Sequence, residues 1–254
     1  MTGPNCSSQC TDQDRLTVED TIFRDSVFYP SRGLSLNELI KASSSNDIHN
    51  RPSFRATLTV KTGQTIGTRG AFKTAHVAVI SDIEGDRELA APFAQGHHCA
   101  KQFYKEKGKN KAVGRKDVSS EARDCLAEMM GHEWADSLFA QVNAFVDKKV
   151  SELGYPEFPI PRMRYVSAAV VRTFSPKEKV FLVEELIGED DGQFIKYIHN
   201  SEARPTMNAE TDEEKYIAEF LCFVQHVQYT LSGKQVFTSD IQGEQCSLIS
   251  LGRN

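Results

Sequence analysis

The sequence contains no apolar run of about 18 residues, the length at which a stretch begins to read as a membrane-crossing helix. Its first residues, MTGPNCSSQCTDQDR, lack both a basic start and an apolar core, so no secretory leader is readable and a cytoplasmic location is expected. Positive charge is not in excess: 30 Lys and Arg stand against 35 Asp and Glu, a formal net charge of −5. That balance gives no broad basic surface for a phosphate backbone, so neither nucleic acid nor a membrane is expected as a partner. The six cysteines, at 6, 10, 99, 125, 222 and 246, form no CxxC pair and no dense framework, which suits reduced thiols. Asn5-Cys6-Ser7 matches a glycosylation sequon, but without a secretory signal it would not meet the machinery.

What remains is a globular composition, 39% hydrophobic and 26% charged, long enough at 254 residues to bury a sizeable core. Residues 1–50 are rich in Ser, Asn, Asp and Thr and read as a poorly ordered arm. From Phe54 the pattern turns to β-type runs at 54–61, 75–83 and 98–104, bounded by Gly, Pro or charge. A basic connector at 105–116 leads to a long helix with an apolar stripe from Ala122 through Trp134 to Val150. Ser119 or Ser120 is expected to cap it, and Gly154 with Pro156 to end it. Runs at 164–174 and 179–187 flank Ser175-Pro176 and predict an antiparallel hairpin. Thr211-Asp212-Glu213-Glu214 is a capping box that opens a second helix, and 235–241 reads as a last strand. The whole predicts an α+β protein of two lobes with a ligand cleft at their junction.

Three constellations could carry chemistry. Gly63, Gly67 and Gly70, followed by Ala71-Phe72-Lys73, lie between two strand runs, so the loop is either an ordinary hairpin turn or a loop that covers phosphates. It is not a P-loop, which requires a helix directly after it. Lys101 sits within the apolar run HCAKQFY, where a lysine either faces solvent or serves an anion. Asp240 and Gln242 end the last strand run and, by strand alternation, share a face. They offer two hard oxygen ligands of the kind Mg2+ prefers, although a turn-initiating Asp is the ordinary use of such a residue. His97, His98 and Cys99 do not make a zinc site, because neighbours on a strand point to opposite faces and no second cluster lies at ligand spacing.

These pieces, in this order, resemble the alpha-kinase family of atypical protein serine/threonine kinases. GTRGAFKTAH resembles its phosphate-covering loop, HHCAKQFY its ATP-lysine strand, VEELIGEDDGQFIKYIHN its hinge (usually VEPYIxGEFxKYNNN), and AEFLCFVQHVQYTLSGKQVFTSDIQG its AFSHFTYxxTxGxxLVxDLQG. The resemblance implies a kinase-like fold with an N-lobe at about 51–184 and a partial C-lobe at about 185–254, and ATP with Mg2+ as cofactors. By position, Gly70, Ala71, Phe72, Lys73 and Lys101 would contact phosphates, Glu184 would hold adenine at the hinge, and Lys196 would match the KYNNN lysine. Asp240 and Gln242 would hold the metal, with Asp240 catalytic, and His226 would be structural. Two departures stand out. The family's second aspartate has no counterpart in GEQCSLISLGRN, where Ser250 falls near its position, and with the sequence stopping at Asn254 the zinc module is not expected. The implied activity is phosphoryl transfer from Mg-ATP to a hydroxyl of an unknown protein substrate, the alternative being a pseudokinase that serves as a nucleotide-binding scaffold.

Overall fold

The computed structural model describes residues 20–42, 48–67, 72–107, 112–187, 194–200, 204–206, 208–243 and 247–250. In chain order its elements are β1 (Thr21–Pro30), α1 (Leu36–Ala42), β2 (Phe54–Val60), β3 (Lys73–Glu84), α2 (Arg87–Ala90), β4 (His98–Lys107), β5 (Ala112–Arg115), α3 (Val118–Leu153), β6 (Arg164–Tyr165), β7 (Ala168–Thr173), β8 (Lys179–Glu185), β9 (Ile195–Lys196), α4 (Asp212–Leu231), β10 (Ile241–Gly243) and β11 (Ser247–Ser250). Seven strands form one antiparallel sheet in the order β3-β2-β1-β7-β8-β4-β5. Because β3 also pairs with β4, six of them close into a ring, which removes their free edges.

Alternation along these strands sorts side chains into an inside and an outside. Inside lie Phe23, Phe28, Leu58, Ile80, Ala100, Val171, Phe181 and Val183, with Phe93 packed among them. The opposite face presents Phe103, Ala168, Val170, Val180 and Leu182 to Cys125 and Met129 of α3. Further along, α3 gives Ala135, Phe139, Val142 and Val146 to a second core with α4 and the short sheet β6-β11-β10-β9. One helix thus serves both bodies.

Four expectations are corrected. Residues 21–30, assigned to a poorly ordered arm, form β1 in the middle of the sheet, between β2 and β7. A β-bulge between Phe23 and Ser26 breaks the two-residue period there, which hides the strand from pattern reading. The α3 N-cap is Asp117, whose carboxylate accepts the Ser120 amide at 2.9 Å, rather than Ser119 or Ser120. The run 164–174 divides, β6 joining the short sheet and β7 the ring. Residues 236–239 are not a strand, because side chains take their backbone: Gln225 Nε2 donates to the Thr238 carbonyl at 2.7 Å and the Thr238 amide donates to Gln228 Oε1 at 2.8 Å. The β7–β8 hairpin, the Gly154 stop at φ 84° and the Thr211–Glu214 capping box are as read from the sequence.

Candidate active site

Lys101 and Glu184 meet on the α3-facing side of the sheet. Strand alternation puts Lys101 in register with Phe103 and Glu184 with Leu182, both of which pack on α3. The Lys101 ammonium donates to Glu184 Oε2, and the pair is nearly sealed, with side chains 10% and 2% exposed. His132 reaches the other carboxylate oxygen from α3, its Nε2 3.4 Å from Glu184 Oε1. Burial alone would raise the Glu184 pKa, but the Lys101 ammonium and the His132 contact outweigh it and hold the carboxyl well below the usual range. Burial likewise opposes the charge on Lys101, and Glu184 reverses this, raising its pKa. Cys99, opposite Glu184 on β4, is buried too, and burial pushes its thiol up to about 11, so it stays protonated.

Lys73 shares this face, because it lies opposite Phe103 across β3 and β4 while Ala75 lies opposite Lys101. Its ammonium pairs with Glu128 of α3, one helical turn before His132, and stands 5.5 Å from the Phe103 ring centre. Phe72 is 71% exposed, and its carbonyl accepts the Tyr104 amide at 3.0 Å. Gly70 and Ala71 lie outside the described residues.

The second cluster belongs to the short sheet. Asp240 precedes β10 in a left-handed conformation, φ 55°, so the alternation argued for Asp240 and Gln242 does not run through it. Lys196 joins the two instead. It lies directly opposite Gln242 across β9 and β10, on the same face, while its ammonium pairs with Asp240 Oδ1. A carboxylate and an amide oxygen are donors of the kind Mg2+ takes, a hard ion that keeps waters and phosphate oxygens for its remaining positions. Among the described residues no group of three His, Cys, Asp or Glu has metal-holding geometry. Ser250 lies opposite Ile241 on β11, next along the ladder from Gln242 and Ile249.

Polar residues that sequence reading missed stand between the clusters. Gln225 and Gln228 of α4 clamp Thr238, two residues before Asp240. The Tyr165 hydroxyl lies against the Thr238 side chain, and burial pushes its pKa up. Asp136, its carboxyl raised by burial and opposed by nearby His132, lines with His132, Arg164 and Tyr165 a polar cavity of about 310 Å3. The spacing of His132 and Asp136, four apart on a helix, was the available signal. The apolar stripe of α3 includes neither residue.

With this geometry in hand, the comparisons decide the family. The Alpha-kinase family model matches residues 69–250, well over half of the sequence. The chain belongs to the alpha-kinase family. Among solved structures, the alpha-kinase domain of myosin-II heavy chain kinase A with a phosphorylated aspartate is similar at TM-score 0.52 and 15% identity, over 89% of this chain and 81% of that one. A mutant of the catalytic domain of that kinase is similar at TM-score 0.51 and 13% identity, over 89% and 80%. An inactive form of the domain in complex with ATP gives 0.50 and 16% over the same shares, 89% and 80%. At such identities these likenesses show the alpha-kinase fold, of α+β class. No individual curated protein sequence matches. Family membership makes this a protein-kinase-type domain of the transferase class.

Proposed function

We propose that this alpha-kinase domain binds Mg-ATP and transfers its γ-phosphoryl group to a serine or threonine hydroxyl of a protein. The observation that carries the reading is the buried Lys101–Glu184 pair. An ammonium held almost out of water on a mid-sheet strand is costly, and in kinases a lysine anchored by a glutamate is the group that grips the ATP phosphates. A structurally similar domain in complex with ATP supports the same cofactor. In this reading Lys101 contacts phosphate, and Lys73 joins it when phosphate displaces Glu128. Glu184, which the family pattern puts at the adenine-holding hinge, turns its carboxylate to Lys101, so its part here is to hold that lysine. Gly70, Ala71 and Phe72 would cover the phosphates.

Asp240 and Gln242 would hold Mg2+, which when bound neutralises charge on the phosphates. Lys196 pairs with the Asp240 carboxylate and stands opposite Gln242 on the neighbouring strand. Among the described residues no helix is long and apolar enough to cross a membrane, and a cytoplasmic location belongs to the proposal. A second reading, a nucleotide-binding pseudokinase, is favoured by one observation. By the sequence pattern Ser250 falls near the position of the family's second aspartate, and a serine hydroxyl cannot serve as its base.

Transfer of radiolabelled phosphate from ATP to a generic protein tests the proposal. Wild type should transfer, and Asp240→Ala and Lys101→Ala should not. Transfer that survives Asp240→Ala overturns the metal role, whereas nucleotide binding without any transfer selects the pseudokinase.

A further inference from the structure

Glu184 is 1% exposed, and a carboxylate so far from water is tolerated only when both oxygens meet donors. Lys101 supplies one donor, to Oε2. The other oxygen, Oε1, has no hydrogen-bond partner among the described residues, and His132 Nε2, on a side chain 3% exposed and likewise unpartnered, faces it from α3 at 3.4 Å. Its position on the helix is fixed by packing on both sides along the same stripe, Met129 on the sheet side and Ala135 in the second core. Next to it Glu133 is locked by Arg32 and Arg51, with Arg51 Nη1 at 2.6 Å, which pins this turn of α3 against the segments after β1 and before β2. The turn that carries His132 is therefore rigid, and His132 also lines the polar cavity with Asp136, Arg164 and Tyr165.

We propose that His132 is a positioning residue for the nucleotide site. With the proton on Nε2 it donates to Glu184 Oε1 and fixes the carboxylate in the one orientation that presents Oε2 to Lys101. The lysine is thereby aimed from α3 through two side chains rather than by its own strand. This rests on the reading of Lys101 as the ATP lysine only for its consequence in catalysis. The arrangement itself is separable, and the test is built to show which of the two fails.

The experiment is acetylation of the folded protein by an N-hydroxysuccinimide ester, with each lysine read by mass spectrometry. The free amine reacts and the ammonium does not, so the rate at Lys101 reports how firmly Glu184 holds its proton. Replacing the donor with a methyl-tipped side chain, His132→Leu, should speed acetylation of Lys101 about three- to tenfold. His132→Gln keeps an N–H near the Nε2 position and should return the rate to within about twofold of wild type. In a Glu184→Gln background His132→Leu should add nothing further, as expected when two residues act in series. Lys73, paired with Glu128 on the same helix, is the internal control and should not change.

Equal Lys101 rates in wild type, Leu and Gln variants overturn the proposal. So does a matching rise at Lys73, which would mean that α3 had merely loosened, or a Gln variant as reactive as the Leu variant. Mg-ATP added to the wild type gives the separate arm. Failure to protect Lys101 counts against the kinase reading and leaves the His132 result standing on its own.

Discussion

Two lysine–carboxylate pairs, one in each body of the molecule, show how the same chemistry is put to different uses. Lys101–Glu184 lies under α3 with side chains 10% and 2% exposed, and a third residue, His132, touches the carboxylate. Lys196–Asp240 lies on the short sheet with side chains 31% and 12% exposed, built on a residue at φ 55°. The sealed pair is held in place from several sides, and removing either member strands a charge in a dry setting. The second pair is open on its lysine side only: water reaches the Lys196 ammonium while Asp240 is itself buried, so a cation that replaces the ammonium would meet a carboxylate already partly stripped of water. A rigid grip on one side and an exchangeable metal position on the other is the division of labour that phosphoryl transfer needs.

The largest test of that contrast is stability. Glu184→Ala should cost about 3–5 kcal/mol in urea unfolding, because the Lys101 ammonium is left buried without a partner. Lys196→Ala removes the more exposed member of its pair and should cost less, about 1–2 kcal/mol. Similar losses from the two would remove the distinction between a sealed and an open pair.

A second test uses pH and separates two carboxyls that flank the same face of α3. Glu184 is held below its unfolded value of 4.5, so its stabilisation is complete above that value and is lost as pH falls below it. Glu121, 3% exposed at the start of α3, behaves in the opposite sense. Burial raises its pKa to about 7 against the opposing charges of Arg115 and Lys179. Its folded state binds the extra proton between 4.5 and about 7, so stability declines as pH rises through that window, by on the order of 2 kcal/mol. Glu121→Gln should flatten that decline in urea titrations at pH 5 and pH 8 while leaving the acid-side loss in place. A wild-type stability that does not fall across this window would contradict the burial of Glu121.

The smallest effect belongs to the second body. Thr211→Ala removes the side chain that accepts the Glu214 amide at 3.2 Å in the α4 capping box, and should lower the melting free energy by about 1 kcal/mol without altering nucleotide binding. A change in nucleotide affinity would show that the start of α4 is coupled to the Gln225–Gln228 clamp on Thr238.

How much of this was legible in the sequence depends on whether the information was local. The capping box, the Gly154 stop and the β7–β8 hairpin were readable because each is set by a few neighbouring residues. The bulged strand β1 was not, since a single extra residue between Phe23 and Ser26 scrambles the alternation that marks a strand. Residues 236–239 deceived in the other direction. Val236, Phe237 and Thr238 favour a strand, but the side chains of Ser232, Gln225 and Gln228 capture the backbone first. For the site, order along the sequence singled out Lys101, Asp240 and Gln242, whereas their partners came from long-range packing. Nothing local links Lys101 to Glu184, 83 residues away, or ties His132 to either.

The most direct measurement is a calorimetric titration of Mg-ATP into the wild type, Lys101→Met and Asp240→Asn. The account predicts saturable binding to the wild type, and a loss of about tenfold or more in affinity for each variant, since each removes one charged contact to the phosphates or their metal. Binding of equal strength to all three proteins would contradict it, because the nucleotide would then sit away from both pairs.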